Sequence, residues 1–212
     1  MKNKRNDGRG MKRGLIEGLG INDSDYLTHY QIDGNEVICP FYKTWISMFK
    51  RAYNKKYHLK NPTYVDVSVA IEWHSFMAFR AWMISQDWEG KQLDKDLLFT
   101  GNRVYSPEKC FFVHSKLNKL LCDNAKQRGD MPLGVSISMG VCFACIRKNG
   151  KKYNLGRDKN KMIAHALWQK AKAEIIELAA NEQTDERLKN SLMQRVYKLR
   201  DDLLNGRETI KL

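Results

Sequence analysis

No apolar run in this chain approaches the roughly 20 residues that a membrane-spanning helix needs, and the sequence contains no internal repeat or low-complexity tract. The N-terminal segment also lacks the features of an export signal. Residues 1–13 are basic and polar, and residues 14–21 are short and rich in glycine, whereas a signal peptide has an apolar central region. We therefore expect a cytoplasmic protein with no membrane partner.

Cysteine is sparse, and its pattern argues against a disulfide framework. The five cysteines are an odd number scattered between Cys39 and Cys145, which indicates free thiols in a reducing compartment. Cys142 and Cys145 have the C-x-x-C spacing of a zinc or redox site, but they fall in a strand-like run, where residues three apart face opposite sides. No second pair follows at a suitable spacing. We therefore expect no structural zinc.

Acidic residues are the minority among the charged ones. The sequence has 24 Asp and Glu against 37 Lys and Arg, a formal charge of +13, and a pI near 9.5. This excess favours a polyanionic partner. The hydrophobic fraction of 42% is sufficient for a folded core. A basic charge alone does not distinguish DNA from RNA. An RNA-binding or assembly protein therefore remains an alternative hypothesis.

The first half of the sequence predicts helices and short strands around an aromatic core. Apolar residues at spacings of three and four predict a helix from Tyr42, and aromatic spacing resumes over Ile71–Trp82. Alternation predicts strands at Val65–Val69 and Gln92–Leu97. Ser106-Pro107 is typical of a helix start, because serine caps free amides and proline at the first position gives up only an unpaired one.

The second half predicts a three-stranded antiparallel sheet. Two β-prone runs, 134–138 and 141–146, meet across a tight turn at Met139-Gly140. Asn149-Gly150 then predicts a type I′ hairpin, which needs positive φ at both positions, before a third strand at 152–155.

Two helices are predicted after this sheet. The first extends from Lys161 to about Ala180 and is expected to cover one face of the sheet with an apolar stripe. That stripe comprises Ile163, Leu167, Ala171, Ile175 and Leu178. The last helix, 184–205, begins at a capping Thr184, and we interpret its apolar stripe as intramolecular packing. A dimeric coiled coil would require more sustained heptads, so a monomer is favoured.

Strand alternation separates the predicted sheet into two faces. A polar and cationic set faces outward if the helix side consists of Val135, Ile137, Ala144, Ile146, Tyr153 and Leu155. Those outward positions are Ser136, Ser138, Phe143, Cys145, Arg147, Lys152 and Asn154, with Lys148 and Lys151 beside them at the second hairpin. Such a face suits a DNA major groove, where Arg and Asn contact base edges and Lys contacts phosphates. The alternative is a solvated sheet edge.

The segment from Pro132 to Ile176 resembles the plant ethylene-response-factor (APETALA) DNA-binding domain. The resemblance lies in Gly134-Val135, Phe143 to Arg147, Asn149-Gly150, Leu155-Gly156 and Ala164-His165-Ala166. It implies three antiparallel strands in the major groove of double-stranded DNA, backed by one helix. The implied groove-facing positions are Ser136, Ser138, Cys145, Arg147, Lys152 and Asn154. The plant domain has arginines where Ser136 and Ser138 stand, so its target sequence does not carry over.

The first half resembles the H-N-H (ββα-metal) module of phage-encoded homing endonucleases, in which domains of the plant type also occur. Pro40-Phe41-Tyr42 with Trp45, Asp87 to Lys91, and the run from Leu93 through Asn102 to Glu108 carry the resemblance. It implies a host-cytoplasmic, site-specific DNA endonuclease that hydrolyses phosphodiester bonds with Mg²⁺ or another divalent cation. That cation stabilises the leaving 3′-oxygen.

Aligned on this resemblance, Asp94 is the first metal ligand, Lys95 stands where the base histidine belongs, and Asn102 is the loop asparagine. Lys109 falls where the helix ligand is expected. Lysine is a poor base at its reference pKa of about 10.4 and does not bind a metal while cationic, so we consider Asp96 as a substitute catalytic and metal-binding residue. His114 is the other substitute, although a surface histidine is the favoured interpretation.

These features predict an α+β protein in four parts. They are a flexible basic arm at 1–20, an H-N-H-like nuclease module at 21–125, an ethylene-response-factor-like domain at 131–180 and the helix at 184–205. The expected function is DNA cleavage at a site chosen by the sheet domain. The alternative is a catalytically inactive relative that binds DNA as a regulator.

Overall fold

The computed structural model of the protein describes residues 14–121, 129–148 and 150–212. Over these residues the fold is mixed α+β, as predicted, with six α-helices, three two-stranded sheets and one three-stranded antiparallel sheet. None of these helices is both long and apolar enough to span a bilayer. The chain divides into two compact units, the first ending at Val113 and the second beginning at His114. Residues 1–13 of the predicted arm lie outside the described residues.

The first unit is built from short elements. In chain order they are β1 (His29–Ile32), β2 (Asn35–Ile38), α1 (Pro40–Tyr53), α2 (Lys55–Lys60), a 3-10 helix (Pro62–Tyr64), β3 (Ser68–Val69), a second 3-10 helix (Ile71–His74), α3 (Phe76–Ile84), β4 (Gln92–Asp94), β5 (Val104–Tyr105) and β6 (Phe111–Val113). β1 and β2 form a hairpin, β3 lies parallel to β5, and β4 pairs antiparallel with β6.

The predicted aromatic core of this unit is confirmed. Trp45, Phe49, Trp73, Phe76 and Phe79 are all essentially inaccessible to solvent. The indole Nε1 of Trp45 donates a hydrogen bond of 2.7 Å to the carbonyl oxygen of Trp73, so its polar group is satisfied inside the core. Each buried aromatic side chain stabilises the fold by about 1.5–3 kcal/mol, and the cluster holds α1 against α3.

Three predictions in this unit are wrong. The strand predicted over Gln92–Leu97 ends at Asp94, where the Asp94 side chain accepts from the next amides and turns the chain. The strand predicted over Val65–Val69 is confined to Ser68–Val69. The helix predicted at Ser106-Pro107 is a single turn, closed by the Cys110 amide, which donates to the Ser106 carbonyl oxygen at 3.0 Å. The chain cannot continue as a helix because Phe111–Val113 pair with β4. Burial of two of those three side chains in the sheet overrides the local capping signal.

The second unit contains the predicted sheet and both predicted helices. Its elements are α4 (Ser115–Leu121), β7 (Val135–Ser138), β8 (Val141–Lys148), β9 (Lys151–Asp158), α5 (Lys161–Asn181) and α6 (Glu186–Leu204). The strands lie in the order β7-β8-β9, all antiparallel. Met139 and Gly140 both have positive φ, which confirms the first tight turn. Gly150 has φ of +79°, and Asn149 of the second predicted turn lies outside the described residues.

The predicted inward stripe of α5 is wrong. Ile163, Leu167 and Leu178 are 51%, 38% and 60% exposed, whereas the buried residues include Ala164, Trp168 and Ile176 and three polar side chains. Those polar residues are His165, Gln169 and Lys172. The helix packs against the sheet and also against α6, so its buried surface is wider than a single apolar stripe.

The last helix packs as predicted, although its capping residue differs. Leu188, Leu192, Val196 and Leu199 are all buried, and α6 packs against α5, which confirms that the stripe serves intramolecular packing. The N-cap is Asp185 and not Thr184, because the Asp185 Oδ1 accepts from the amides of Arg187 and Leu188 at 2.8 and 3.3 Å.

Candidate functional site

The central strand β8 separates the sheet into the two predicted faces. Cys142, Ala144 and Ile146 are buried on the side that packs against α5, whereas Phe143, Cys145 and Arg147 alternate onto the other side. Cys142 and Cys145 therefore face opposite sides, as predicted. Ile137 and Tyr153 pair with residues of the α5 side, as expected, but they are 55% and 47% exposed, so α5 does not bury them. We call the side away from α5 the outer face.

The six predicted groove-facing residues share this outer face. Residues directly opposite each other in an antiparallel pair project to the same side. Ser136 pairs with Phe143 and Ser138 with Val141, while Cys145 pairs with Asn154 and Arg147 with Lys152. The structure thus brings together Ser136, Ser138, Cys145, Arg147, Lys152 and Asn154. Lys148 and Lys151 pair at the tip of the β8–β9 hairpin, where both are exposed.

A β-bulge in β9 adds a residue that strict alternation assigns to the wrong side. Cys145 pairs with Asn154 but Ala144 pairs with Gly156, so Leu155 is extra. The Asn154 Oδ1 accepts from the Gly156 amide at 3.0 Å and closes the bulge. As a result Arg157 pairs with Phe143 and lies on the outer face. A glycine within a strand is the signal that predicts such a bulge.

The charges on the outer face are of one sign. Arg147, Lys152 and Arg157 project from it, and Asp158 is the single acidic residue in the described part of the three strands. Asp158 pairs with Cys142, on the side of α5. Its Oδ1 accepts from the Asn160 amide at 2.7 Å, so this carboxylate belongs to the start of the helix. The described residues of the three strands therefore place only positive charges on the outer face.

In the first unit, Asp94 ends β4 and begins the loop that holds the predicted hydrolytic residues. Its Oδ1 accepts from the backbone amides of Asp96 and Leu97 at 3.0 and 2.7 Å. Burial raises the pKa of the Asp94 carboxyl, and the nearby Asp96 carboxylate raises it further, although the two amide hydrogen bonds lower it. A cation close to Asp94 would favour its ionised form and offset the effect of burial.

Lys95 holds this loop together from inside. Its side chain is 8% exposed, and its Nζ donates to the Asp96 Oδ2 and to the Asn102 carbonyl oxygen, both at 3.0 Å. The same amine lies 5.9 Å from the centroid of the Tyr64 ring. An ammonium group that is nearly buried and paired with a carboxylate is a structural contact. Its predicted role as a proton acceptor gains no support from this geometry.

Asn102 closes the loop from the other end. Its Nδ2 donates to the carbonyl oxygens of Lys95 and Val104, both at 2.7 Å, and its Oδ1 accepts from the Val104 amide at 3.2 Å. These hydrogen bonds fix residues 95–104 as a compact turn, because a buried carbonyl without a partner costs about 1–3 kcal/mol. The Asn102 side chain therefore holds the loop in place by hydrogen bonds to backbone atoms of Lys95 and Val104.

The position that the resemblance assigns to the helix ligand, Lys109, does not lie in a helix. Lys109 lies in the turn after Ser106, and the first helix after β6 is α4, which carries Asn118 on a half-buried position. His114 is exposed, and its carbonyl oxygen accepts from the amides of Leu117 and Asn118. Asp94 and Asp96 belong to the first unit, whereas His114 and Asn118 belong to the second. In the described ranges, no three His, Cys, Asp or Glu side chains form a metal-ligand cluster.

Arg51 is a neighbour of the loop that sequence reasoning missed. Its Nη1 donates to the Leu93 carbonyl oxygen at 3.4 Å, one residue before Asp94, and its guanidinium lies 5.3 Å from the centroid of the Tyr105 ring. Burial also raises the pKa of the nearby Cys110 thiol to about 12. Cys110 is therefore protonated at neutral pH and is not a nucleophile. The contacts of Arg51 join residues more than forty positions apart, so they leave no local pattern in the sequence.

Comparison of the chain with protein-family models, with curated proteins and with solved structures gives no match. The resemblances to the plant DNA-binding domain and to the H-N-H nucleases therefore stay predictions, and function has to be argued from the outer face and from the loop around Asp94.

Proposed function

We propose that this protein is a site-specific DNA endonuclease that binds duplex DNA through the outer face of the β7-β8-β9 sheet. The observation that carries the proposal is the sign and placement of charge on that face. Arg147, Lys152 and Arg157 project from adjacent strands beside Ser136 and Asn154, with no acidic side chain among the described residues of the same face.

The chemistry of this face fits the major groove. That groove is about 12 Å wide and admits a two-stranded ribbon such as the β8–β9 hairpin. Arg147 and Asn154 lie on the ribbon and have the donors and acceptors that pair with guanine and adenine edges. Lys148 and Lys151 at the hairpin tip suit phosphate contacts, which position the protein without selecting a sequence. Because α5 covers the opposite side, the sheet is a rigid support for these side chains.

Two substitutions are expected to separate base recognition from phosphate binding. Arg147→Ala should cost about 1–3 kcal/mol on the preferred sequence and relax base preference, whereas Lys151→Ala should weaken all duplexes alike and reduce the salt slope by about 1. The measurement is fluorescence anisotropy at several salt concentrations, on a duplex selected from a random library and on a scrambled one. Lys170→Ala, an exposed lysine of α5, is the matched control.

Equal losses for Arg147→Ala and Lys170→Ala would contradict the proposed face. Tighter binding to single-stranded RNA than to any duplex would replace the proposal with the RNA-binding hypothesis, because a groove-entering ribbon requires a duplex.

Cleavage is proposed at the Asp94 and Asp96 carboxylates. Their oxygens are the hard donors that Mg²⁺ prefers. Burial first, and the nearby Asp96 charge second, raise the pKa of Asp94, so the two carboxyl groups lie close enough to act on each other. Mg²⁺ at this position would stabilise the leaving 3′-oxygen of the phosphodiester. Asn102 holds the loop closed, and Lys95 fixes the orientation of the Asp96 carboxylate.

The rival function, a catalytically inactive DNA-binding regulator, is favoured by one observation. The position of the base histidine is held by Lys95, whose amine is buried against Asp96 and the Asn102 carbonyl. Magnesium-dependent nicking of duplex DNA by the wild type, lost on Asp94→Ala while binding is retained, supports the endonuclease. Binding without nicking of any candidate target supports the regulator.

A further inference from the structure

The short helix α2 presents an unusual exposed surface. Its four exposed residues are three lysines and one leucine: Lys55, Lys56, Leu59 and Lys60. We call this set the α2 face. Leu59 is 86% exposed. On a helix, residues three and four apart are neighbours, so Leu59 lies next to Lys55 and Lys56 and is surrounded by positive charge.

The orientation of α2 is fixed by contacts on its other side. The Tyr57 ring packs edge-on against Tyr64 with centroids 5.5 Å apart, and the Nε2 of His58 lies 2.9 Å from the Arg51 carbonyl oxygen. The Asn54 Oδ1 caps the helix by accepting from the Tyr57 amide at 2.9 Å. With both inward side chains held, Leu59 cannot turn into the core. Its exposure is therefore built into the fold.

The segment around α2 is strongly basic. No Asp or Glu occurs between Glu36 and Asp66, while six Lys and Arg residues do. One carboxylate from elsewhere, Glu17, accepts from the Asn54 side chain at the start of the helix. The α2 face itself keeps a charge of +3 from its three lysines. A polyanion is the partner that this charge selects.

A single exposed leucine restricts the choice of polyanion. Interfacial helices that bind membranes bury a long apolar face, and helices that dock into protein grooves present several anchors at helical spacing. Leu59 is alone on six residues of helix. Proteins that bend DNA do insert single apolar side chains between base pairs from the minor groove, flanked by Lys and Arg on the phosphates.

We propose that the α2 face is a second DNA-contacting surface, with its lysines on the phosphates and Leu59 inserted as a wedge that kinks the duplex. The inference rests on the proposed function for its partner, duplex DNA, but it uses residues that the outer face does not include. The segment that follows α2, residues 62–65, adjoins the candidate cleavage loop. The Arg103 Nη1 donates to the carbonyl oxygens of Thr63 and Val65 at 2.8 and 3.2 Å, and Lys95 lies against Tyr64.

The first test measures phosphate contacts on the full chain. Lys56→Ala/Lys60→Ala should weaken binding to every duplex and lower the salt slope of the association constant by about 2, since each lost phosphate contact removes about one counterion. The control is Lys170→Ala/Lys211→Ala, which removes the same charge from exposed lysines of the second unit and should leave the slope unchanged. All four substitutions are on exposed side chains, so folding is retained.

The second test measures the wedge. A duplex selected by the wild type from a random library is labelled at both ends for fluorescence energy transfer. The wild type should shorten the end-to-end distance, because an inserted side chain kinks DNA by about 20–90°, and Leu59→Ala should restore most of it. Leu204→Ala is the matched control, since Leu204 is 85% exposed, and it should bend the duplex as the wild type does.

The outcomes separate this inference from the proposed function. If Arg147→Ala weakens binding but the lysine pair behaves like its control, the α2 face is not a DNA surface while the outer face stands. If Leu59→Ala bends DNA as the wild type does, the proposed wedge is overturned while the outer face stands. If the wild type binds no duplex, both proposals fail. A lowered slope together with lost bending establishes the α2 face.

Discussion

Replacing Gly134 with alanine is expected to destabilise the second unit severely and to remove DNA binding with it. Gly134 has φ of +74°, and a Cβ at this position would lie 1.8 Å from the Trp168 Cδ1. Strain from a non-glycine residue in this region costs about 1–3 kcal/mol, and overpacking a core adds about 1–3 kcal/mol. Trp168 has little room to move, since it is 5% exposed and stacked on His165 at 5.4 Å. Urea denaturation followed by tryptophan fluorescence measures the loss.

Gly140→Ala separates the clash from the backbone strain. Gly140 is in the same unit with φ of +73°, but nothing lies within 4 Å of its added Cβ. The control should therefore lose only the strain of about 1–3 kcal/mol. A Gly134→Ala protein no less stable than Gly140→Ala would show that Trp168 is not packed over Gly134. That result would also mean that this packing of α5 does not support the outer face.

Asp94→Asn is expected to abolish magnesium-dependent nicking while leaving the loop folded. Asparagine keeps an oxygen that accepts from the Asp96 and Leu97 amides, which the Asp94 Oδ1 now does at 3.0 and 2.7 Å. It removes the charge that a metal ion requires. Asp94→Ala should also abolish nicking but should lose stability, because the two amides then have no partner. A plasmid-relaxation assay with selected target DNA measures nicking, and gel shifts check that binding is retained.

The same carboxyl predicts a pH dependence of stability in the absence of metal. Burial and the Asp96 charge raise the pKa of Asp94 in the folded state, so the folded protein holds this proton more tightly than the unfolded chain. Stability contributed by the protonated form is present at low pH and is lost as pH rises through the folded pKa. Asp94→Asn should flatten this decline, and added Mg²⁺ should offset it in the wild type alone.

Nicking by Asp94→Asn at the wild-type rate would contradict a metal at Asp94.

The faces of the sheet were predictable from the sequence because they depend on short-range geometry. Strand alternation assigned Cys142, Ala144 and Ile146 to one side, and the positive φ of Gly140 and Gly150 agrees with the predicted turns. Arg157 was missed because a bulge breaks the period of two, and only Gly156 hinted at it. The face on which a residue after a bulge lies depends on where the pairing shifts. That place is determined by the partner strand as well as by β9 itself.

Long-range packing explains the other failures. The apolar stripe chosen for α5 assumed one packing partner, but the helix has two. The positions it buries include His165, whose Nδ1 lies 2.9 Å from the Leu133 carbonyl oxygen and whose Nε2 accepts from the Thr209 amide at 3.0 Å. Buried polar residues are acceptable where hydrogen bonds satisfy them. Neither partner lies within thirty residues of His165, so no local pattern predicts its burial.

The candidate loop was located from the sequence, whereas the contacts of its side chains were not. Asp94, Lys95, Asp96 and Asn102 do lie together, because one turn of chain connects them. Whether Lys95 faces solvent or the loop interior depends on Tyr64, which arrives from a different part of the chain. The chemistry of a lysine is decided by such neighbours.

The bulge at Leu155 also affects how this surface can change over generations. Asn154 and Arg157 both face outward with two residues between them, so β9 holds one residue more than pairing with β8 requires. Loss of Leu155 would leave Gly156 opposite Ala144 and Arg157 opposite Phe143, and the outer face would survive the deletion. Gain or loss of a residue elsewhere in the strand turns every later side chain to the other side. The length of β9, as well as its composition, therefore determines which side chains the outer face carries.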